Sequence, residues 1–168
     1  ITPSNALTIY KNGNMMVKGN IYPQADNYYT LGTLTNRWKV IFSAEGVLQT
    51  SDIRLKDRIQ GIGYGLTEIM KLNPISFYWK NSSDQTQKLG FSAQDVQKVI
   101  KEVVLEGNDS DKTLGINYSE LIPVLVKAIQ EQQKLIEDLK KDNQSLKEKV
   151  DQIDALKAEF EKFKLESK

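Results

Sequence analysis

The sequence predicts an α+β chain in three parts, and three observations predict it. Short β-prone runs separated by Asn, Gly and Pro turns fill residues 1–50. Strand-like and helix-like segments alternate over residues 51–123, with Gly and Pro at their boundaries. From residue 124 to residue 168 apolar residues recur every seven positions among charged ones, the pattern of a long amphipathic helix.

Composition narrows the functional classes. The 168 residues carry 23 Lys and Arg against 22 Asp and Glu, a formal charge of +1. No global attraction to nucleic acid or to a membrane surface is expected from that balance. No apolar run is long enough for a membrane span. The first residues, Ile1-Thr2-Pro3-Ser4-Asn5, have neither the basic start nor the apolar core of a signal peptide, and the chain is expected to be the end of a longer protein. With no Cys and no His, disulfides, thiol chemistry and a zinc site are not expected, and no cofactor is expected.

Taken in order, Ala6–Tyr10 and Met15–Tyr22 read as strands around the turn Lys11-Asn12-Gly13-Asn14, a hairpin signal. Asp26-Asn27-Tyr28-Tyr29-Thr30-Leu31-Gly32 leads into Asn36-Arg37-Trp38-Lys39-Val40-Ile41-Phe42, read from the residues alone as a small β meander packed on Trp38 and Tyr29. So few residues bury little surface, and such a unit is marginal alone. Residues 44–50 should be extended. Gly61, Gly63 and Gly65 interrupt any helix and lack the Lys-Ser/Thr of a phosphate loop. Leu66, Ile69, Met70 and Leu72 give a helical face that Asn73-Pro74 ends. Ile75–Trp79 and Lys88–Ser92 read as strands flanking a polar loop at 81–86, with Tyr78 and Trp79 as core. Ser92 should cap a helix carrying Val96, Val99 and Ile100. Val103–Glu106 and Leu114–Tyr118 read as strands around a solvated acidic turn. Ser119 should cap the final helix, with Pro123 in its first turns.

In that helix one set of seam positions is Ile129, Ile136, Asn143 and Val150, and the other is Leu125, Gln132, Leu139, Leu146 and Ile153. After Ile153 the stripe slips and continues through Leu156, Phe160 and Phe163, a stammer. Ile in one set and Leu in the other leans toward a two-stranded coiled coil.

Chemistry concentrates in Thr50-Ser51-Asp52-Ile53-Arg54-Leu55-Lys56-Asp57-Arg58. A serine needs a base to act as a nucleophile at neutral pH, and in a chain without histidine Lys56 is the partner for Ser51. Burial, or a neighbouring cation such as Arg54 or Arg58, would lower the lysine pKa as that role requires. Attack by Ser51 on the carbonyl before it, an N-to-O shift, would cut Thr50–Ser51. A cut at Ser51–Asp52 needs a serine from another chain or a water, because attack on its own carbonyl closes a four-membered ring. Asp52 and Arg54 are the supporting residues, and backbone N–H groups near Ser51 are the candidate oxyanion donors.

Ser51-Asp52-Ile53-Arg54-Leu55-Lys56 resembles the start of the C-terminal intramolecular chaperone, an auto-processing Ser-Lys peptidase domain, of phage tailspikes, tail fibres and neck appendages (the endosialidase type). It is also similar to the self-cleaving domain of myelin regulatory factor. Gly65–Pro74, Phe77-Tyr78-Trp79, Lys88–Val96 and Ile116–Pro123 resemble further blocks of that domain in the same order. The Asp26–Ile41 stretch resembles a repeat near the ends of phage fibres. The resemblance implies a homotrimer: a β-rich trimeric stalk over residues 1–50, an α+β chaperone over 51–123, and a trimeric coiled coil over 124–168, against the dimeric lean of the heptads. It implies that the chain brings three copies into register, folds the stalk and cuts itself immediately after the serine. The implied setting is a virion fibre precursor folded in the host cytoplasm, whose chaperone part is released and absent from the mature particle. Partners are the upstream stalk and two further copies, with no nucleic acid and no membrane. The rivals are a permanent, non-cleaving trimerisation domain and, third, a receptor-binding tip using Tyr78, Trp79 and the polar loop.

Overall fold

The computed structural model describes residues 6–80, 83 and 85–167. Residues 1–5 and half of the expected polar loop (Asn81, Ser82 and Asp84) lie outside the described residues. The chain divides into two units, Ile1–Phe42 and Ser43–Lys168. Residues 43–50 therefore group with the second unit rather than with the strands before them.

In the first unit Leu7–Ile9 (β1) pairs antiparallel with Met15–Val17 (β2), Thr8 opposite Met16. The loop between them closes by Tyr10 N–H to the Asn14 carbonyl and Gly13 N–H to the Tyr10 carbonyl, both 2.9 Å. The second strand is shorter than the sequence suggested, because Gly19, Asn20 and Pro23 offer little to a ladder. No further strand follows among the described residues of this unit. The expected meander is instead a run of turns. Gly32 has φ +86°, and a Cβ there would meet the Asn36 carbonyl oxygen at 3.1 Å and the Trp38 ring at 3.5 Å, so this turn requires glycine. Thr33 Oγ1 accepts the Asn36 N–H at 2.9 Å and fixes the turn. No described residue from 6 to 50 is buried, and Trp38 and Tyr29 are more than half exposed. Single-chain packing does not supply a core here.

The second unit has one. Leu66–Ile69 (α1), Ile75–Phe77 (β3), Lys88–Gly90 (β4), Ala93–Val99 (α2), Val104–Glu106 (β5) and Leu114–Ile116 (β6) precede Leu121–Glu166 (α3), a helix of 46 residues. Strands pair only as local antiparallel hairpins, Ser76 opposite Leu89 and Leu105 opposite Gly115. Between them sits a core of Val96, Ile100, Val103, Leu121 and Val124, flanked by Tyr64, Ile69, Leu72, Phe91, Val99, Val104 and Ile116.

Local chemistry explains each element. Ser92 Oγ accepts the Asp95 N–H at 3.3 Å and starts α2, whose Val96 face turns inward. α1 is a single turn; Glu68 accepts the Gly65 N–H at 3.0 Å, and Glu131 of α3 accepts the Leu66 N–H at 2.8 Å. Gly65 is buried, and a Cβ there would displace the Glu131 carboxylate from its place beside the start of α1. Tyr64 O–H donates to Glu102 at 2.8 Å; the bond holds the Glu102 carboxyl below its ordinary value and the tyrosine above its own. β3 alternates half-buried Ile75 and Phe77 with exposed Ser76. Tyr78 and Trp79 lie past its end and are 56% and 49% exposed, so neither takes the core role expected of it. A two-stranded sheet covers one face, and the strand ends before those rings could share it.

Ser119 is not the N-cap of the long helix. Tyr118–Glu120 forms a 3₁₀ turn that runs directly into α3, and Pro123 is the third residue of α3, where a missing N–H costs nothing. At 1.5 Å per residue α3 is about 69 Å long. Leu121, Val124 and Ala128 are buried on the core, whereas every described residue from Gln132 onward is exposed. Pairs such as Lys127–Glu131 (3.7 Å) and Lys164–Glu161 (2.9 Å) are solvated and contribute about 0.3–0.5 kcal/mol each.

Ile100 is 1% exposed at the centre of the core. Ile100→Ala should cost about 2–5 kcal/mol, read from denaturant unfolding of the full chain, while Leu89→Ala, on a residue 84% exposed, should change stability by less than about 0.5 kcal/mol.

Candidate functional site

The nine residues from Thr50 to Arg58 form a tight turn between extended arms. Ile53–Leu55 is one 3₁₀ turn, closed by Leu55 N–H to the Asp52 carbonyl and Lys56 N–H to the Ile53 carbonyl, both 3.1 Å. Asp52 caps it, its Oδ1 accepting the Arg54 N–H at 2.9 Å. The Arg54 guanidinium grips the same carboxylate through Nε at 3.0 Å and through Nη2. These bonds hold the Asp52 carboxyl below the usual carboxylate range, the Arg54 side chain contributing most.

This turn makes Ser51 and Lys56 neighbours. Five residues fully extended would span about 17 Å. Here the backbone at both Asp52 and Lys56 is extended on either side of the turn, and Lys56 Nζ lies 2.7 Å from Ser51 Oγ, donating to it. That distance is within reach for proton transfer. Transfer toward lysine needs the neutral amine, and a lysine in water is charged. Ser51 and Lys56 are both exposed in the single chain. The two cations expected to disfavour the lysine charge are each offset by an acid: Arg54 by Asp52, and Arg58 by Asp57 at 3.7 Å. The apolar residues around the dyad are uncovered as well: Leu48 is 99% exposed, Val47 84%, Leu55 76% and Ile53 67%.

Two contacts at the site escape a reading of the sequence. Gln49 Nε2 donates to Ser119 Oγ at 3.2 Å, across 70 positions. Ser119 Oγ donates in turn to Asn117 Oδ1 at 2.7 Å. No spacing rule links Gln49 to Ser119; only the fold brings them together. The remaining expected residues lie on α3. Leu125, Ile129, Gln132, Ile136, Leu139, Asn143, Leu146, Val150 and Ile153 are all exposed, as are Leu156, Phe160 and Phe163 beyond them. α3 is one uninterrupted helix, so the heptad spacing puts them on one continuous stripe.

The Asp52 carboxyl should titrate below its unfolded value of about 3.9. Its contribution to the turn is complete above that value and is lost as pH falls through the lowered one. The Arg54 amide resonance, which reports the cap, should shift with a midpoint below 3.9, and in Asp52→Asn, which keeps an acceptor but cannot ionise, the shift should vanish. A midpoint at or above 3.9 in the native chain would contradict the clamp.

Comparison with known proteins adds two findings. Residues 51–105 match the model of a family described as chaperone of endosialidase, whose name classes it as a peptidase. The match begins at Ser51 and ends within β5. The chain is also similar to the side tail fibre protein pb1 of Escherichia phage T5, 32% identical over 103 residues, which is 60% of this chain and 7% of that protein. The resemblance read from the sequence motifs is borne out for this segment, and the family supports a chaperone role.

Proposed function

We infer that the chain is an intramolecular chaperone that trimerises, brings an upstream phage fibre or appendage stalk into register and releases itself by self-cleavage at Ser51. The observation that carries this is the 2.7 Å contact of Lys56 Nζ with Ser51 Oγ on a capped turn. It stands at the first residue of a segment matching a peptidase-class chaperone family. The relative from phage T5, named as a side tail fibre protein, supports the fibre setting.

The chemistry balances with this chain's own groups and water. Neutral Lys56 takes the Ser51 hydroxyl proton. Oγ attacks the Thr50 carbonyl carbon, and the tetrahedral adduct expels the Ser51 amine, which takes up a proton. Water then hydrolyses the Thr50 ester and restores the hydroxyl. Cleavage after Ser51 instead needs attack on the Ser51 carbonyl by water or by a partner copy's serine, with the Asp52 amine leaving. Fragment masses assign the bond. In both routes Lys56 must lose its charge, and assembly offers the means. Copies packed along the α3 stripe and over Val47, Leu48, Ile53 and Leu55 would exclude water from the dyad. Low polarity disfavours the ammonium.

A coiled coil also explains why the unburied first unit has a chaperone attached. Interwound β structure depends on non-local contacts and forms slowly, whereas tethered chains meet at high effective concentration.

Ser51→Ala, Lys56→Ala and Lys56→Arg should each leave the precursor intact by denaturing gel and intact mass while oligomers still form; arginine fails because it stays protonated. Rapid cleavage of Ser51→Ala would remove the nucleophile assignment, and an uncleaved native chain would favour a permanent trimerisation domain. Asp at both Leu139 and Leu146 places charge in the seam. By sedimentation that variant should lose the trimer expected of the native chain, and cleavage with it. A monomer that cuts itself at the native rate would refute the coupling.

A further inference from the structure

Residues 43–50 have no regular structure, yet they belong to the second unit. Gln49, two residues before Ser51, is held by Ser119, which lies in the 3₁₀ turn that opens α3. The order of donors is set by chemistry. A hydroxyl has one proton, and Ser119 spends it on Asn117 Oδ1 at 2.7 Å, so toward Gln49 it can only accept. Gln49 must then present its amide nitrogen, as it does at 3.2 Å. Asn117 is itself fixed, its N–H donating to the Val103 carbonyl at 2.8 Å beside the buried core, and its carbonyl accepting the Glu120 N–H at 3.2 Å.

We propose that Gln49, Ser119 and Asn117 form a positioning relay for self-cleavage, seating the segment before Ser51 on the turn that starts α3. The inference rests on the self-cleavage reading. Attack on a backbone carbonyl needs the reacting atoms in near-attack geometry, and an irregular segment samples many others. Anchoring Gln49 fixes the chain within about 7 Å of the Ser51 carbonyl. Ser119 and Asn117 reach their places only when β6 and the start of α3 have folded, so the cut waits for the helix that joins the copies. None of the three touches the reacting atoms; they act through the path of the backbone.

The test follows the full chain from the moment of synthesis in a cell-free pulse, scoring first-order cleavage by gel and intact mass. Gln49→Ala and Ser119→Ala should slow cleavage roughly two- to tenfold, the loss of one hydrogen bond, with unchanged sedimentation. Ser119→Thr and Asn117→Asp, which keep the hydroxyl and the acceptor, should cleave near the native rate. In the uncleavable Ser51→Ala chain, Ser119→Ala should speed amide exchange over residues 44–50 and Ser119→Thr should not. Native rates in Gln49→Ala and Ser119→Ala would overturn the relay and leave self-cleavage standing. Equal slowing by Ser119→Thr and Ser119→Ala would also overturn it. A native chain that never cuts would overturn both readings.

Discussion

α3 carries two apolar faces, and the chain covers only one of them. Leu121, Val124 and Ala128 lie on Val96, Ile100 and Val103. Leu125, Ile129 and Ile136 lie about a quarter-turn around the same helix and remain open, with Ile129 63% exposed. Spacing alone could not separate these faces, since both repeat in threes and fours. Contact with the domain separates them: the buried face stops near Glu131, whose carboxylate accepts the N–H at the start of α1, while the open stripe continues to Phe163. A helix of 46 residues thus leaves one apolar stripe open in the single chain. Because the first turns of α3 are fixed by the core, whatever covers the stripe is also oriented relative to the dyad.

That orientation bears on the chemistry. The dyad has the distance it needs and lacks the environment. Lys56 Nζ donates to Ser51 Oγ at 2.7 Å. Asp52 pairs with Arg54 and Asp57 with Arg58, so both neighbouring guanidinium groups have acid partners. The Asp52–Arg54 clamp shapes the turn. On the proposed mechanism activation falls to burial, and covering the exposed Val47, Leu48, Ile53 and Leu55 would exclude water from the dyad.

Much of this was legible in the sequence because it is written locally. The Asn12-Gly13 turn, the Ser92 cap and the start of β3 each depend on a few adjacent residues, and the structure places them where those residues point, whereas α1 stops at Ile69, short of Asn73-Pro74. The Ser51–Lys56 contact was legible for the same reason, since a single capped turn separates the pair. The failures share a different cause. The single-chain meander on Trp38 and Tyr29, the reading set below a trimeric stalk, does not form, because residues 6–50 bury nothing by themselves. Ser119 carried the composition of a cap but is occupied by Gln49 and Asn117, and its partner is 70 positions away. Gly65 was read as a helix breaker, and its closer meaning is the approach of Glu131, which only the packed helix supplies.

The same weak contact that seats the segment before Ser51 also bears on its proposed release. If the chain is cut at Ser51, Gln49 and Ser119 would belong to different pieces. The bond between them is exposed and worth about 0.5–1.5 kcal/mol. Three such bonds in a trimer would add about 1.5–4.5 kcal/mol, at most the low end of the roughly 4–15 kcal/mol of translational freedom gained on separation. The contact is thus strong enough to bias a tethered segment, where only local conformational freedom opposes it, and too weak to keep the pieces joined. Cleavage would convert one into the other without any rearrangement of the turn. A stalk freed in this way has lost the helix that brought its chains together, so its persistence would depend on the barrier to unfolding rather than on refolding.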